Sequence, residues 1–332
     1  MIKKILILVG TALIFVLANV FLGCTITRRL GNNFSGTSQL KMIDVGRYLP
    51  FEENSELART GSSLKFEKSA DLPVLDGAAA LVPVYASVID EIYPEGTVTY
   101  KGGKFDDNNT YGENFADDSV MKYQNTIRGF KAVVDGSVDL FFTAYPSDAQ
   151  LEYAKEKNVE LAIEAVGMEA FVFFVNKKNP VDGLTIDQIR SIYRGEVTNW
   201  KDVGGPNKSI YTVIRVQGSG SQTMMEKFMK GEFHPATNNP LAIFGGAIGY
   251  SFRYYLSGMV KDDNVKMLAV NGVFPNAENI KNGSYPISTK FYVVYRKNDT
   301  NEKLQQLLTW LKSDEGQALI EGCGYVGLPK ES

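Results

Sequence analysis

The chain has 332 residues, 44% of them hydrophobic and 22% charged, an ordinary globular balance with length for two lobes of domain size. Its net charge of −3, or −5 once Lys3 and Lys4 leave with a leader, makes the body weakly acidic and argues against a nucleic-acid partner. With one histidine, His234, and two cysteines, Cys24 and Cys323, Cys/His metal sites and most nucleophile–base pairs lack their parts. Enzymes that run on carboxylate pairs remain possible on composition alone; no metal, cofactor or catalytic residue is assigned.

Lys3 and Lys4 precede an apolar run from Ile5 to about Leu22, followed by Gly23 and Cys24. Residues 1–23 therefore read as a secretory leader, and two outcomes stay open. Phe21-Leu22-Gly23-Cys24 is similar to a lipobox, which predicts a lipid on Cys24, although Leu22 stands where a small residue is usual. The same run is also long enough to persist as an anchor helix. Either way the body lies outside the cytoplasmic membrane and is tethered to it. Residues 24–70 are polar and weakly periodic and are expected to form a spacer, with some local order around Met42-Ile43-Asp44-Val45. With Cys24 lipidated, Cys323 has no partner and is expected to fill a small buried space.

The body opens at a strand, Leu72-Pro73-Val74-Leu75, and a turn of small residues, Asp76-Gly77-Ala78-Ala79-Ala80. Leu81, Val84, Tyr85, Val88, Ile89 and Ile92 then recur at helical steps. Lys101 to Asn109 reads as an exposed turn region, and its Asp106-Asp107-Asn108-Asn109 lacks the spacing of a calcium loop. From Thr126, the residues Ile127, Phe130, Val133 and Val134 mark a helix that Asp135-Gly136-Ser137 ends. Val138 to Phe142 is the strand after it, and Thr143-Ala144-Tyr145-Pro146-Ser147 a loop. Ala170 to Asn176 is a continuous apolar run, the sign of a strand buried on both faces. Thr185-Ile186-Asp187-Gln188 has the form of a capping box opening a helix through Tyr193. Trp200 is expected to anchor packing. His234 falls in a loop-like stretch and is read as a surface residue.

The most informative stretch comes next. Tyr211-Thr212-Val213-Ile214 reads as a strand, Arg215-Val216-Gln217-Gly218-Ser219-Gly220-Ser221-Gln222-Thr223 as a loop, and Met224, Met225, Phe228 and Met229 as one face of a helix. Such a loop turns backbone N–H groups and hydroxyls toward the positive end of a helix, where an anion is received. Arg215 could add a charge-assisted fork. The same residues also fit a plain helix N-cap beside a surface arginine. Phe291-Tyr292-Val293-Val294-Tyr295 is a late strand, and Leu304, Leu307, Leu308, Trp310 and Leu311 a late helix. Strands alternate with helices throughout, which predicts an α/β fold with mostly parallel sheets and ligands beyond the carboxyl ends of the strands.

Six ordered pieces resemble one family: Gly77 to Tyr85, Gly136 to Ser147, Ile192 to Trp200, Arg215 to Ser221, Gly246 to Tyr250 and Tyr285 to Arg296. Over about residues 72–330 the chain is similar to the phosphate-binding proteins of phosphate-specific ABC transporters, which are type II periplasmic substrate-binding proteins. The resemblance implies a two-lobed α/β fold with two crossing strands as hinge, near Glu169–Asn176 and Pro286–Tyr295. Lobe I would hold 71–165 and 288–332, and lobe II 166–287. It implies a monomer that captures inorganic phosphate between the lobes and hands it to an ABC permease. The ligand-binding positions it implies are Ala79, Ala80, Thr126, Arg215, Ser219, Gly220 and Ser221. Two positions depart from the family. Ala79 stands where Thr is common, and Ala144 replaces an Asp that accepts the proton of hydrogen phosphate, a task for which Asp76 and Asp148 are the candidates. Two further readings stay open: a diverged member that binds another oxyanion or serves as a surface sensor, and, from a different class, a secreted phosphoester hydrolase.

Overall fold

The computed structural model of the protein describes residues 43–105, 111–215, 217–231 and 246–329. The leader, Cys24, Met42, the Asp106–Asn109 turn, Val216, His234 and residues 241–245 lie outside them. Eleven strands are described: β1 (Leu75–Gly77), β2 (Tyr100–Phe105), β3 (Tyr111–Phe115), β4 (Leu140–Ala144), β5 (Leu161–Asn176), β6 (Gly183–Leu184), β7 (Tyr211–Thr212), β8 (Ala247–Phe252), β9 (Val265–Met267), β10 (Ala269–Val270) and β11 (Ser288–Arg296). The described α-helices are α1 (Val82–Ile92), α2 (Asn125–Asp135), α3 (Asp148–Glu156), α4 (Ile186–Tyr193), α5 (Gly220–Met229), α6 (Ala277–Lys281), α7 (Glu302–Lys312) and α8 (Asp314–Gly322).

The helices follow from their apolar spacing and caps. Every residue of the predicted α1 face, Leu81 through Ile92, is buried, as are Leu304, Leu307, Leu308, Trp310 and Leu311 of α7. Thr185 caps α4 as a full capping box with Gln188, and Gly136 ends α2 in the left-handed conformation at φ 89°, which glycine adopts without a Cβ penalty. Trp200 is fully buried and donates its indole N–H to the Gly246 carbonyl at 3.0 Å, so its anchoring role holds. Cys323 is buried too, with its thiol against Ser87, and burial pushes it up to about 11.

The main sheet has the order β1-β4-β11-β5-β8-β7, with β9 also paired to β5. It is mixed, which corrects the expectation of mostly parallel sheets. Parallel pairing survives at the two ends, β1 with β4 and β7 with β8. The centre is antiparallel because β11 runs against both β4 and β5, and β5 against β8 and β9. Strand β5 is 16 residues long. It pairs with β11 as far as Ala170 and with β8 from Phe171 onward. One strand thus belongs to both halves of the sheet, and its partners change at the Ala170–Phe171 step. Its first nine residues, Leu161 to Glu169, went unread in the sequence because most are only partly buried and they carry Glu164, Gly167 and Glu169 among apolar residues.

Two more differences have physical reasons. Lys101 to Phe105 lies in β2, in a hairpin with β3; its Gly102-Gly103 pair shows no apolar alternation that would mark a strand. From Ile43 the stretch read as a spacer lies on the body. Ile43, Val45, Tyr48 and Phe66 are buried, and the Glu91 carboxylate accepts the N–H groups of Gly61 and Ser62, each at 2.9 Å, and of Thr60. The local order expected around Ile43-Asp44-Val45 is present, as a 3₁₀ turn Val45–Tyr48 capped by Asp44; Tyr48 and Phe66, isolated apolar residues without a period, give no element signal, yet each fills a place in the core.

Candidate functional site

Three connections meet at the carboxyl ends of β1, β4 and β7. The first leaves β1 at Gly77 and enters a short 3₁₀ turn, Ala79–Leu81, before α1. A Cβ at Gly77 would stand 2.7 Å from the Tyr85 ring and 3.0 Å from the Phe142 carbonyl, so this close approach needs glycine. The Ala78 N–H donates to that same carbonyl at 2.8 Å, tying the loop to β4. Tyr325 donates its hydroxyl to the Ala80 carbonyl, and its ring packs on Phe291 of β11.

The second connection is the end of β4 at Ala144, followed by Tyr145, Pro146 and Ser147, which caps α3. Beside it begins α2, where Asn125 takes a positive φ of 58° and the Thr126 carbonyl accepts from the Gln150 side chain at 3.3 Å.

The third is the Arg215 loop. Gly218 has φ 79°, and Ser219 caps α5 by accepting the Gln222 N–H at 3.3 Å. That bond uses the hydroxyl as an acceptor and leaves its hydrogen free to donate. The Arg215 N–H is fixed by the Gln222 side-chain oxygen at 3.1 Å and the Tyr250 hydroxyl at 3.0 Å, and Tyr250 also donates to Gln222. Burial lowers the Arg215 guanidinium, countered by Tyr255 and Tyr250; an arginine stays charged through such a shift. Among the described residues no carboxylate forms an ion pair with it. Gln222, Tyr250 and Tyr255, which hold this arginine, escaped the sequence reading because two of them lie far along the chain.

The three connections converge. Ala80, Ala144 and Gly220 line one cavity together with Phe252, Glu169 and Lys290. A Cβ on Gly220 would lie 3.9 Å from Ala144 and 3.7 Å from Phe252, and one on Gly218 would lie 3.2 Å from Ile127. Ile127, set on the apolar face of α2 by its spacing, is 41% exposed and lies beside the α5 loop rather than in the core. Lys227 of α5 stands 4.7 Å over the Tyr145 ring, with Pro146 O at 3.5 Å. The start of α5 is thereby set against the ends of β1 and β4 and the start of α2. The cavity holds about 20 Å3, more than the ~10–15 Å3 that one water needs. Of the expected binding positions, Ala80 and Gly220 are on its wall. Ala79, Thr126, Arg215, Ser219 and Ser221 belong to the surrounding connections without lining it.

The carboxylates sort clearly. Asp148 is exposed, and its field reaches Lys227. Asp76 is fully buried behind the first loop, and burial pushes it up to about 7. Glu169, on the cavity wall, is the one the sequence did not suggest. It is buried and accepts the N–H groups of Ala170 at 2.9 Å and Tyr254 at 3.0 Å, and the Arg253 guanidinium at 3.1 Å. Burial raises its pKa, and Arg253 opposes the rise. Partners 84 residues apart leave no local signature. Among the described residues no group of three or more His, Cys, Asp or Glu could hold a metal ion, and no helix is long and apolar enough to cross a membrane.

A small cavity closed by loops from two halves of a mixed sheet, with a long strand common to both, defines a two-lobed binding protein of the type II periplasmic class. The profile of the PBP superfamily domain matches residues 104–315, and the chain belongs to that superfamily. It is similar to the phosphate-binding protein PstS of Bacillus subtilis, 28% identical over 209 residues that cover 60% of this chain and 67% of that one. With PstS of Staphylococcus aureus it is 25% identical over 244 residues, 68% of this chain and 74% of that one. The fold is also that of an ABC-type phosphate transport receptor from Vibrio cholerae, with a TM-score of 0.53 at 20% identity over 77% of this chain and 100% of that one.

Proposed function

We propose that this protein captures inorganic phosphate between its lobes, outside the cytoplasmic membrane, and presents it to an ABC permease without changing it chemically. The observation that carries this reading is the meeting of Ala80, Ala144 and Gly220 around one small cavity, with the starts of α1, α2 and α5 beside it. Three helix starts supply N–H groups and dipoles to an oxyanion, and the PstS names of the relatives identify phosphate as that oxyanion. In this reading Arg215 supplies charge, Ser219 and Ser221 hydroxyl donors, Gly220, Ala79 and Ala80 backbone N–H groups, and Thr126 a further hydroxyl. Lobe I is 71–165 with 288–332 and lobe II is 166–287, joined through β5 and β11. The chain acts as a monomer held to the membrane surface through Cys24 or the leader.

Ala144 supports a second reading within the same family. A methyl group on the wall cannot accept a proton from the ligand, so selectivity against sulfate is the property most open to change. Calorimetric titration of the whole chain, stripped of bound anion, with phosphate and then sulfate tests both. Phosphate bound and sulfate excluded is the expected result. Comparable binding of the two anions moves the assignment to a general oxyanion receptor, and no binding of either overturns it.

A further inference from the structure

Asp76 sits on β1 one residue before its end, fully buried. Its Oδ1 accepts the Gly77 N–H at 2.6 Å and the Gln124 N–H at 3.2 Å. Its Oδ2 is buried and has no hydrogen-bond partner. That oxygen faces Gly129 at the start of the second turn of α2, where a Cβ would stand 3.0 Å from it; glycine at 129 makes room for the carboxyl. The cations whose fields reach it are Arg128 of α2 and Lys122 just before that helix. The neighbouring strand β4 presents Phe141, and α1 faces Gly77 with Tyr85; neither brings a charge.

A buried carboxylate with one oxygen unpaired is costly, and the group avoids the cost by binding a proton. Desolvation works in that direction here, against the two N–H groups, Arg128 and the Gln124 side chain. The N–H that Asp76 accepts, from Gln124, lies immediately before α2. The proposed phosphate site uses the same helix end, through Thr126. An ionised Asp76 and a divalent oxyanion would place two negatively charged groups at one helix start, and each raises the proton affinity of the other.

We propose that Asp76 is a proton-linked positioning residue of the anion site: its carboxyl holds the start of α2, and seating of an oxyanion there drives a solvent proton onto Oδ2. The inference rests on the phosphate reading above. Asp76 does not touch the anion; it acts through the helix start. Its consequence is a binding equilibrium that takes up a proton on the protein, so affinity falls as pH rises through neutrality, by up to about tenfold per pH unit where one proton is taken up.

The test compares the full chain with Asp76→Asn and Asp76→Ser, two uncharged variants of different size, each verified as folded by its circular dichroism. Inorganic phosphate is titrated at several pH values from acid to alkaline of neutrality, in pairs of buffers with different ionisation heats. Phosphate's own titration is common to all three proteins and cancels in the comparison. The wild-type chain is expected to take up more protons than either variant above neutrality and to lose affinity more steeply there. Equal proton uptake in all three overturns the proposal, because a merely structural Asp76 leaves it unmoved. A wild-type chain that binds no phosphate overturns the phosphate reading instead. The carboxyl carbon of Asp76, followed by NMR without ligand, then decides the residue separately, and a midpoint below about 5, close to an ordinary carboxyl, overturns it.

Discussion

Arg215→Ala is expected to lower phosphate affinity by about one to two orders of magnitude, the ~1.5–3 kcal/mol of a hydrogen bond to a charged group. The reason lies in how the residue is held. Its backbone N–H is fixed by Gln222 and Tyr250, so removing the side chain leaves the loop in place. The cost of desolvating the guanidinium is already met in the ligand-free fold, where burial lowers its pKa and no described carboxylate pairs with it. A bound oxyanion is then its first full counter-charge. Arg215→Lys keeps a positive charge but loses the planar fork, and is expected to recover only part of the loss. Because a half-buried charge with no described carboxylate partner is removed, the thermal midpoint of the ligand-free Ala variant should equal or exceed that of the wild type. Calorimetry and thermal unfolding together check this, and wild-type phosphate affinity in Arg215→Ala removes the residue from the site.

Local signals made this loop legible and non-local ones hid its surroundings. A strand, a Gly-Ser turn and a helix face lie within 20 residues from Tyr211 to Lys230, and the structure puts the loop at the start of α5 as the order of residue types requires. The capping box at Thr185, the glycine stop at Gly136 and the apolar faces of α1 and α7 were legible for the same reason: each depends on residues one to four positions apart. The antiparallel centre of the sheet was not. Whether β11 runs with or against β4 is set by the path of the chain between them, about 140 residues, and by nothing within either strand. Beyond the local order expected at Ile43-Asp44-Val45, the packing of 46–70 was also out of reach, since Tyr48 and Phe66 are isolated apolar residues in polar sequence and only the receiving surface explains their burial. In the candidate site, Ala80 and Gly220 were readable by resemblance, while Glu169, Lys290 and Tyr325 enter through strand register and chain crossing.

Arg253→Met is expected to destabilise the protein by about 3–5 kcal/mol, because it leaves Glu169 as an uncompensated buried charge. The pair sits where β5 exchanges β11 for β8. Glu169 is 3% exposed, and Arg253 reaches on to the Gly324 carbonyl beyond α8, so one guanidinium links the shared strand, the end of β8 and the C-terminal segment. Burial already holds Glu169 above the usual carboxylate range with Arg253 present. A group raised in the folded state stabilises fully below its unfolded pKa, and that contribution is lost as pH rises through the folded value. Without Arg253 the carboxyl is raised further, so the variant should approach wild-type stability in acid, below about pH 4, and fall away from it toward neutrality. Glu169→Gln in the same background removes the orphaned charge and should recover much of the loss. Denaturant unfolding of the four chains of this cycle at acid and neutral pH measures the coupling. A loss in Arg253→Met that does not change with pH would assign the residue's role to packing and to the Gly324 contact, leaving the charge of Glu169 without a part in holding the crossing together.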